Sequence, residues 1–307
     1  MPSTQPKGPD FFLVGAPKCG TTSMYEYLRR HPQIFFPVDE SGYGRAKEPQ
    51  HFCPDLQLSD RYAIHDRDEY LALYAGSDKA VRRGDASTYY LYSEAAPSLI
   101  REFCPQARIL IMLRPPLQMI RSYHSELLRW GQEDITDFHE ALEAIDDRKE
   151  GRRLPRDPGI AKALDYIDLC RVAPQVSRYF EMFGRDAVKV VLLEDMIASP
   201  TSTYREVLRF LGVDPDFQPE FRVYNEAPRD GILERMVKGV YMLPLVHPVA
   251  RALFPYSMRR HILEGTRRIV DGPIDRDPRD QQLRDFYQSD IRQLSSLLGR
   301  DLSHWLQ

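Results

Sequence analysis

Cysteine is scarce in this chain of 307 residues: four, at Cys19, Cys53, Cys104 and Cys170, with no C-x-x-C spacing among them. That excludes a disulfide framework and a zinc site of the usual cysteine spacing, and leaves free thiols of a reducing compartment as the expectation. Cys19 sits in a glycine-flanked loop, but the Gly-Thr-Thr after it supplies no base to activate a thiol, so covalent catalysis by Cys19 is not expected. Apolar runs are short; none approaches the roughly 18 residues that a membrane-crossing helix requires. The opening MPSTQPKGPD has no charged stretch followed by an apolar one, so no secretory leader is read there and a cytoplasmic location is expected. Charge of one sign is not in excess: 42 Lys and Arg stand against 45 Asp and Glu, a net charge of -3. Without a basic footprint, nucleic acid is not an expected partner. Internal repeats and low-complexity segments are missing too.

What is present fits a globular protein with one large core, 42% hydrophobic and 28% charged. A single domain over residues 1–307 is expected, with a flexible tail at 1–10. Three apolar runs of strand length, FFLVG at 11–15, ARILIML at 107–113 and AVKVVLLED at 187–195, are each followed by helical periodicity. The first leads into a helix for which the hydroxyls of Thr21, Thr22 and Ser23 are capping candidates; the second passes through Pro115 and Pro116 into a helix reaching about Trp130; the third precedes a helix started by Ser199 and Pro200 and stopped by Gly212. Buried strands alternating with helices predict an α/β fold, a parallel sheet flanked by helices. Residues 131–180 read as a helical segment broken by Arg and Pro at 148–158, either a substrate wall or a surface excursion. Residues 233–263 are apolar but interrupted by Pro244, His247, Pro248 and Pro255, and 283–306 reads as an amphipathic closing helix with Gly299 as its stop.

The chemistry concentrates in GAPKCGTTS, Gly15 to Ser23. A glycine-rich turn from strand to helix presents backbone N–H groups and the positive helix end to an anion, and three consecutive hydroxyls add donors. A nucleotide triphosphatase places its lysine directly after the second glycine, whereas here Thr21 stands there and Lys18 lies inside the loop. A lysine in that place is a point charge able to meet negative charge on a bridging oxygen. The carboxylates ending the third run, Glu194 and Asp195, keep alive a magnesium-dependent phosphate-loop kinase or NTPase reading, which the displaced lysine opposes. A non-catalytic nucleotide-binding scaffold is the alternative from another class.

The stretch APKCGTTSMYEYL resembles the 5′-phosphosulfate loop, P-K-x-G-T-T, of the sulfotransferases that use 3′-phosphoadenosine 5′-phosphosulfate (PAPS), in their carbohydrate and bacterial branch. The resemblance extends from about residue 11 to 306. In LIMLRPPLQMIRSYHSEL, Arg114 and, eight residues on, Ser122 match the family's 3′-phosphate element. An arginine fork at a strand end and a hydroxyl two turns into the next helix suit one phosphate. The resemblance implies that Pro17, Lys18, Cys19, Gly20, Thr21, Thr22 and Ser23 cradle the 5′-phosphosulfate and that Lys18 stabilises the leaving oxygen. It also implies that PAPS is the co-substrate and 3′,5′-ADP the product. AKEPQHF, 46–52, resembles the family's K-E-P-x-F-F segment, whose glutamate is the proposed base; this makes Glu48 the candidate base and His51, titrating near neutrality, the runner-up. GDASTYYLYS, 84–93, resembles G-E-x-S-P-x-Y and implies Asp85, Ser87 and Tyr89 near the acceptor or the sulfate. Ala86, where heparan-type enzymes carry lysine, speaks against a polyanionic glycan. No metal is implied, because a transferred sulfuryl group carries less charge than a phosphoryl group. The acceptor is expected to be a small molecule or glycan bearing a hydroxyl or amine, selected by residues 131–180 and 226–265.

Overall fold

The computed structural model describes residues 7–38, 45–222 and 278–306. Segment 226–265, expected to help select the acceptor, and the proline-interrupted stretch 233–263 lie outside the described residues. So do residues 1–6 of the expected tail, whereas its end is held in place: Arg83 Nε donates to the Gly8 carbonyl at 3.0 Å, and the Arg83 guanidinium pairs with Asp10.

Five parallel strands make the sheet: β1 Phe11–Gly15, β2 Ile34–Phe35, β3 Arg82–Asp85, β4 Arg108–Leu113 and β5 Val188–Leu192, in the order β2-β3-β1-β4-β5. The helices are α1 Thr21–Leu28, α2 Arg67–Ala72, α3 Ala96–Phe103, α4 Pro116–Trp130, α5 Phe138–Glu143, α6 Ile145–Lys149, α7 Tyr166–Leu169, α8 Val172–Phe183, α9 Leu193–Ala198, α10 Pro200–Leu211 and α11 Pro278–Leu298. The expected α/β architecture is therefore observed. Strand β1, and β4 after the half-buried Arg108, are buried on both sheet faces, which is why they read as apolar runs rather than alternating ones.

The polar edge of this sheet is its carboxyl end, where each strand turns into a helix, and that is where the chain places its loops. At the end of β1 the Ala16 N–H donates to the Met112 carbonyl at 2.8 Å, so the loop before α1 is fastened to β4. Pro116 occupies the first turn of α4, where its missing N–H costs nothing, and Gly131 in the left-handed region closes the helix. Helix α4 projects its inner side, Met119, Ile120, Tyr123 and Leu127, into the core. Its other side carries Ser122 and Glu126 beside the loop.

The segment 131–180 is helical in pieces, as expected, with the break after Lys149. It is anchored from within: Glu133 and Arg148 form a buried ion pair at 2.8 Å, and the Tyr166 hydroxyl donates to Glu133. Tyr166 also meets the Tyr123 ring edge-on at 6.0 Å, so this segment packs against the core-facing side of α4. Helix α11 ends at Leu298, before Gly299, and the short turn after it buries Trp305.

Candidate active site

The loop after β1 enters α1 through Gly20, whose φ of 83° lies in the left-handed region; a Cβ there would come within 2.7 Å of the Leu193 side chain. Gly20 is thus the helix N-cap, with no side-chain cap, and Thr21, Thr22 and Ser23 form the first helical turn rather than capping it. The first N–H groups of a helix have no partner within it and point toward the loop. Thr21 and Ser23 are nearly enclosed, at 5% and 8% exposure, whereas Thr22 is half-buried and its hydroxyl meets the Lys47 ammonium. Lys18 itself has a φ of 64°, uncommon for a residue with a Cβ and seen most often where function holds it.

The two phosphate elements named from sequence meet here. Arg114, at the end of β4, donates from Nη1 to the Lys18 carbonyl at 3.1 Å and from Nη2 to Gln118 at 3.1 Å. Its guanidinium therefore braces the loop from the side on which α4 begins, with the half-buried Ser122 two turns along that helix. Lys18 Nζ forms an ion pair with Glu126, one turn beyond Ser122; the lysine side chain is 9% exposed and the glutamate 30%.

On the opposite side stands the candidate base. Glu48 receives Lys47 Nζ at 2.7 Å on one oxygen, and Thr88 Oγ1 at 2.8 Å and Gln50 Nε2 at 3.2 Å on the other. Lys47 Nζ also reaches Thr22 Oγ1 at 3.3 Å, so one ammonium bridges the loop's exposed hydroxyl and the carboxylate. Tyr89, part-buried, pairs its hydroxyl with that of Tyr123 at 3.0 Å. Burial raises the pKa of the Tyr89 phenol well above its usual range, and the charges of Glu126 and Glu48 act on it in the same direction.

Several expectations change. Asp85 and Ser87 do not face an acceptor: they are 1% and 0% exposed and tie together the layer beneath the site. Asp85 accepts from Ser87 Oγ at 2.7 Å, Tyr70 OH at 2.8 Å and Tyr90 OH at 3.0 Å, while Ser87 Oγ accepts from the Gln50 N–H at 2.9 Å. The physical reason is that β3 stops at Asp85 opposite Phe12, short of the end of β1, so its terminal carboxylate is enclosed. Burial pushes the Asp85 pKa up to about 6 against these three hydroxyl donations and that of the Ser87 N–H at 2.9 Å, which favour the anion. His51 is built into the same wall, stacked on Tyr70 at 4.2 Å with Nδ1 bonded to the Ile64 carbonyl at 2.8 Å, and burial lowers its pKa. Cys19 is fully buried against Met119, and burial pushes its thiol up to about 12, so it offers an anion its backbone only.

Glu194 and Asp195, the acidic pair of the magnesium-dependent alternative, are turned toward the chain's last turn. Glu194 accepts from His304 Nε2 at 2.9 Å and Trp305 Nε1 at 3.2 Å, and Asp195 is paired with Arg300. Sequence reasoning left three site residues without a role: Lys47, Thr88 and Glu126. Lys47 was legible, being a lysine next to the candidate base; Thr88 and Glu126 reach the site only through tertiary structure.

The family model described as "Sulfotransferase family" matches residues 9–219, which include Lys18, Lys47, Glu48, Thr88, Arg114, Ser122 and Glu126. Carbohydrate sulfotransferase 15 of Homo sapiens is 24% identical, over 82% of this chain and 52% of that protein. Bifunctional heparan sulfate N-deacetylase/N-sulfotransferase 3 of Homo sapiens is also 24% identical, over 97% of this chain and 31% of that protein. The chain spans about half the length, or less, of the curated relatives it matches. Among solved structures, a sulfotransferase from Alicyclobacillus acidocaldarius superposes with a TM-score of 0.69 at 27% identity, covering 98% of this chain and 100% of that one.

Proposed function

Because this chain belongs to the sulfotransferase family, we propose that it moves a sulfuryl group from PAPS to a hydroxyl or amine of a carbohydrate, lipid or small-metabolite acceptor. The observation that carries this reading is the Arg114 bond to the Lys18 carbonyl at 3.1 Å. It sets a guanidinium and a loop lysine side by side, as one molecule with phosphates on the 3′ and 5′ positions of a single ribose requires. The residues suit such a donor: the loop supplies N–H groups and the Thr22 hydroxyl, Lys18 and Lys47 supply ammonium groups, and Arg114 with Ser122 supplies a fork and a hydroxyl. The relatives whose names specify carbohydrate or heparan sulfate substrates support a glycan among the candidate acceptors.

The reaction is an in-line displacement in which positioning and charge stabilisation do most of the catalysis. The acceptor oxygen or nitrogen attacks sulfur, the bond from sulfur to the 5′-phosphate oxygen breaks, and 3′,5′-ADP leaves. Lys18 stabilises the negative charge that grows on the departing oxygen. Glu48 takes the acceptor's proton, its carboxylate held in place by Lys47, Thr88 and Gln50. His51 is set back in the wall, and its role is to hold that segment in position. Lys47, between Thr22 and Glu48, is placed to meet the sulfuryl oxygens from the side opposite Lys18. A cytoplasmic setting, in which the four cysteines stay reduced, belongs to this proposal; among the described residues they are free, and no helix is long and apolar enough to cross a membrane.

Calorimetric titration with 3′,5′-ADP, and separately with ATP and magnesium, tests the reading. Binding of 3′,5′-ADP in preference to ATP is expected; binding of ATP without response to 3′,5′-ADP would contradict it.

A further inference from the structure

The lysine expected to meet the leaving oxygen is already occupied. Lys18 Nζ is paired with Glu126, and at 9% exposure its ammonium is close to enclosed, with little access to water as a substitute partner. An ammonium in that position costs several kcal/mol unless an acceptor faces it. The carboxylate, by contrast, is 30% exposed and has a second cation in reach: Arg129, one turn further along α4, lies at 3.4 Å. The pair is therefore unequal. If an anion arrived at the loop, Glu126 could leave for Arg129 and water, whereas the largely enclosed Lys18 would stay and take the anion in its place.

The rest of the site is matched in the same way. Lys47 rests on Glu48, and Arg114 rests on the Lys18 carbonyl and Gln118. Each of these cations thus has an acceptor in the chain, and Glu126 brings a full charge from α4 to the lysine of the loop. It sits on the same face of α4 as Ser122, one turn on, which puts it beside the path along which the donor's phosphates would lie.

We infer that Glu126 is a positioning residue that stands in for the donor: it holds Lys18 in its working place while no donor is bound, and the 5′-phosphosulfate displaces it on arrival. The inference rests on the PAPS reading and adds a consequence to it. Donor binding must break an ion pair, so the enzyme gives up donor affinity in exchange for a loop lysine that is preformed. Removing the charge at 126 then tightens donor binding without removing any group that touches the donor.

The experiment is titration of 3′,5′-ADP into the wild-type chain, Glu126→Gln and Glu206→Gln, followed by steady-state kinetics with PAPS. Glu206, paired with Lys189 on the outside of β5, controls for the general loss of one negative charge. Glu126→Gln is expected to bind 3′,5′-ADP about tenfold more tightly, the scale of one half-exposed ion pair. Its KM for PAPS should fall by a similar factor while kcat changes less than about twofold, and Glu206→Gln should match wild type. A purely structural role for Glu126 would lower thermal stability and kcat and leave that KM split absent. Equal or weaker binding by Glu126→Gln, or the same gain in Glu206→Gln, overturns the inference while the PAPS reading stands. Failure of the wild-type chain itself to bind 3′,5′-ADP overturns both, and that titration alone reports it. Should Glu126→Gln not fold, Glu126→Asp, which withdraws the carboxylate by one methylene, is expected to give a smaller gain in the same direction; no gain would count against the inference.

Discussion

Two ion pairs flank helix α4, and they have been built to opposite ends. Arg148 and Glu133 lie 2.8 Å apart with side chains 2% and 0% exposed, and the glutamate is also bonded by the Tyr166 hydroxyl and the Asp134 and Ile135 N–H groups at 2.8 Å. Burial alone would raise the pKa of Glu133, but those donors outweigh it and hold the carboxyl below its usual range. Lys18 and Glu126, at 9% and 30%, join the same two charge types with one partner left open to water. In the first pair each nitrogen of the guanidinium and each carboxylate oxygen has a hydrogen-bond partner and neither group is open to water, so the pair fixes the fold of the segment after α4. The second has an exit for one partner, and it lies in a loop whose backbone is made for an anion. Burial and the completeness of hydrogen bonding, rather than the charges themselves, separate the structural pair from the functional one.

Truncation sharpens the difference most. Arg148→Ala leaves a carboxylate buried with its chief counter-ion gone and is expected to cost about 3–5 kcal/mol of stability in a denaturant melt. A loss below about 1 kcal/mol would mean that water enters that network and that the contrast is false. Lys18→Ala is expected to leave the melt almost unchanged, because Glu126 turns to Arg129, while lowering kcat roughly 10²–10³-fold, the usual effect of removing one group that stabilises transition-state charge. An unchanged rate would remove the lysine from its assigned role and favour a non-catalytic nucleotide-binding scaffold.

A smaller effect comes from a third buried carboxylate, held by weaker bonds. Asp290 on α11 is 5% exposed and accepts long bonds, at 3.3 and 3.4 Å, from the Ala173 N–H at the start of α8. Burial raises its pKa from 3.8 to about 6. A carboxyl whose folded pKa lies above its unfolded value adds stability at low pH, fully present below 3.8 and lost as pH rises through about 6. Between pH 7 and pH 4.5 the wild type should therefore gain roughly 1–2 kcal/mol relative to Asp290→Asn. Parallel melts of the two chains across that range check it; coincident pH curves would show that α11 leaves Asp290 more open than the packing indicates.

How much of this was readable from the chain follows from which forces made each part. The runs at 11–15 and 107–113 announced β1 and β4 because central strands buried on both faces are apolar almost throughout, and the run at 187–195 announced edge strand β5 by its valines and leucines despite the half-buried Lys189. Strand β3 is Arg-Arg-Gly-Asp, a sequence with no strand preference. Pairing with β1 and β2 imposes the strand, and Gly84 makes room for it: a Cβ there would come within 2.3 Å of the Phe36 ring and 2.5 Å of the Phe11 ring. Two-residue β2 is hidden for the same reason. In the site, Lys18, Arg114 and Glu48 were found because each sits in a local motif. Asp85 was assigned the wrong surroundings because a motif records order along the chain but not depth. Glu126 lies 108 residues from the lysine it holds, and no local pattern links the two.

The central claim is that the loop after β1 and the start of α4 hold the two ends of one doubly phosphorylated adenosine. A crystal structure of the chain with 3′,5′-ADP tests it most directly. The account predicts a single molecule with its 5′-phosphate against the N–H groups of residues 18–22 and its 3′-phosphate between Arg114 and Ser122, and Glu126 turned away from Lys18. A nucleotide that touches only one of the two elements, or that binds elsewhere, would contradict it.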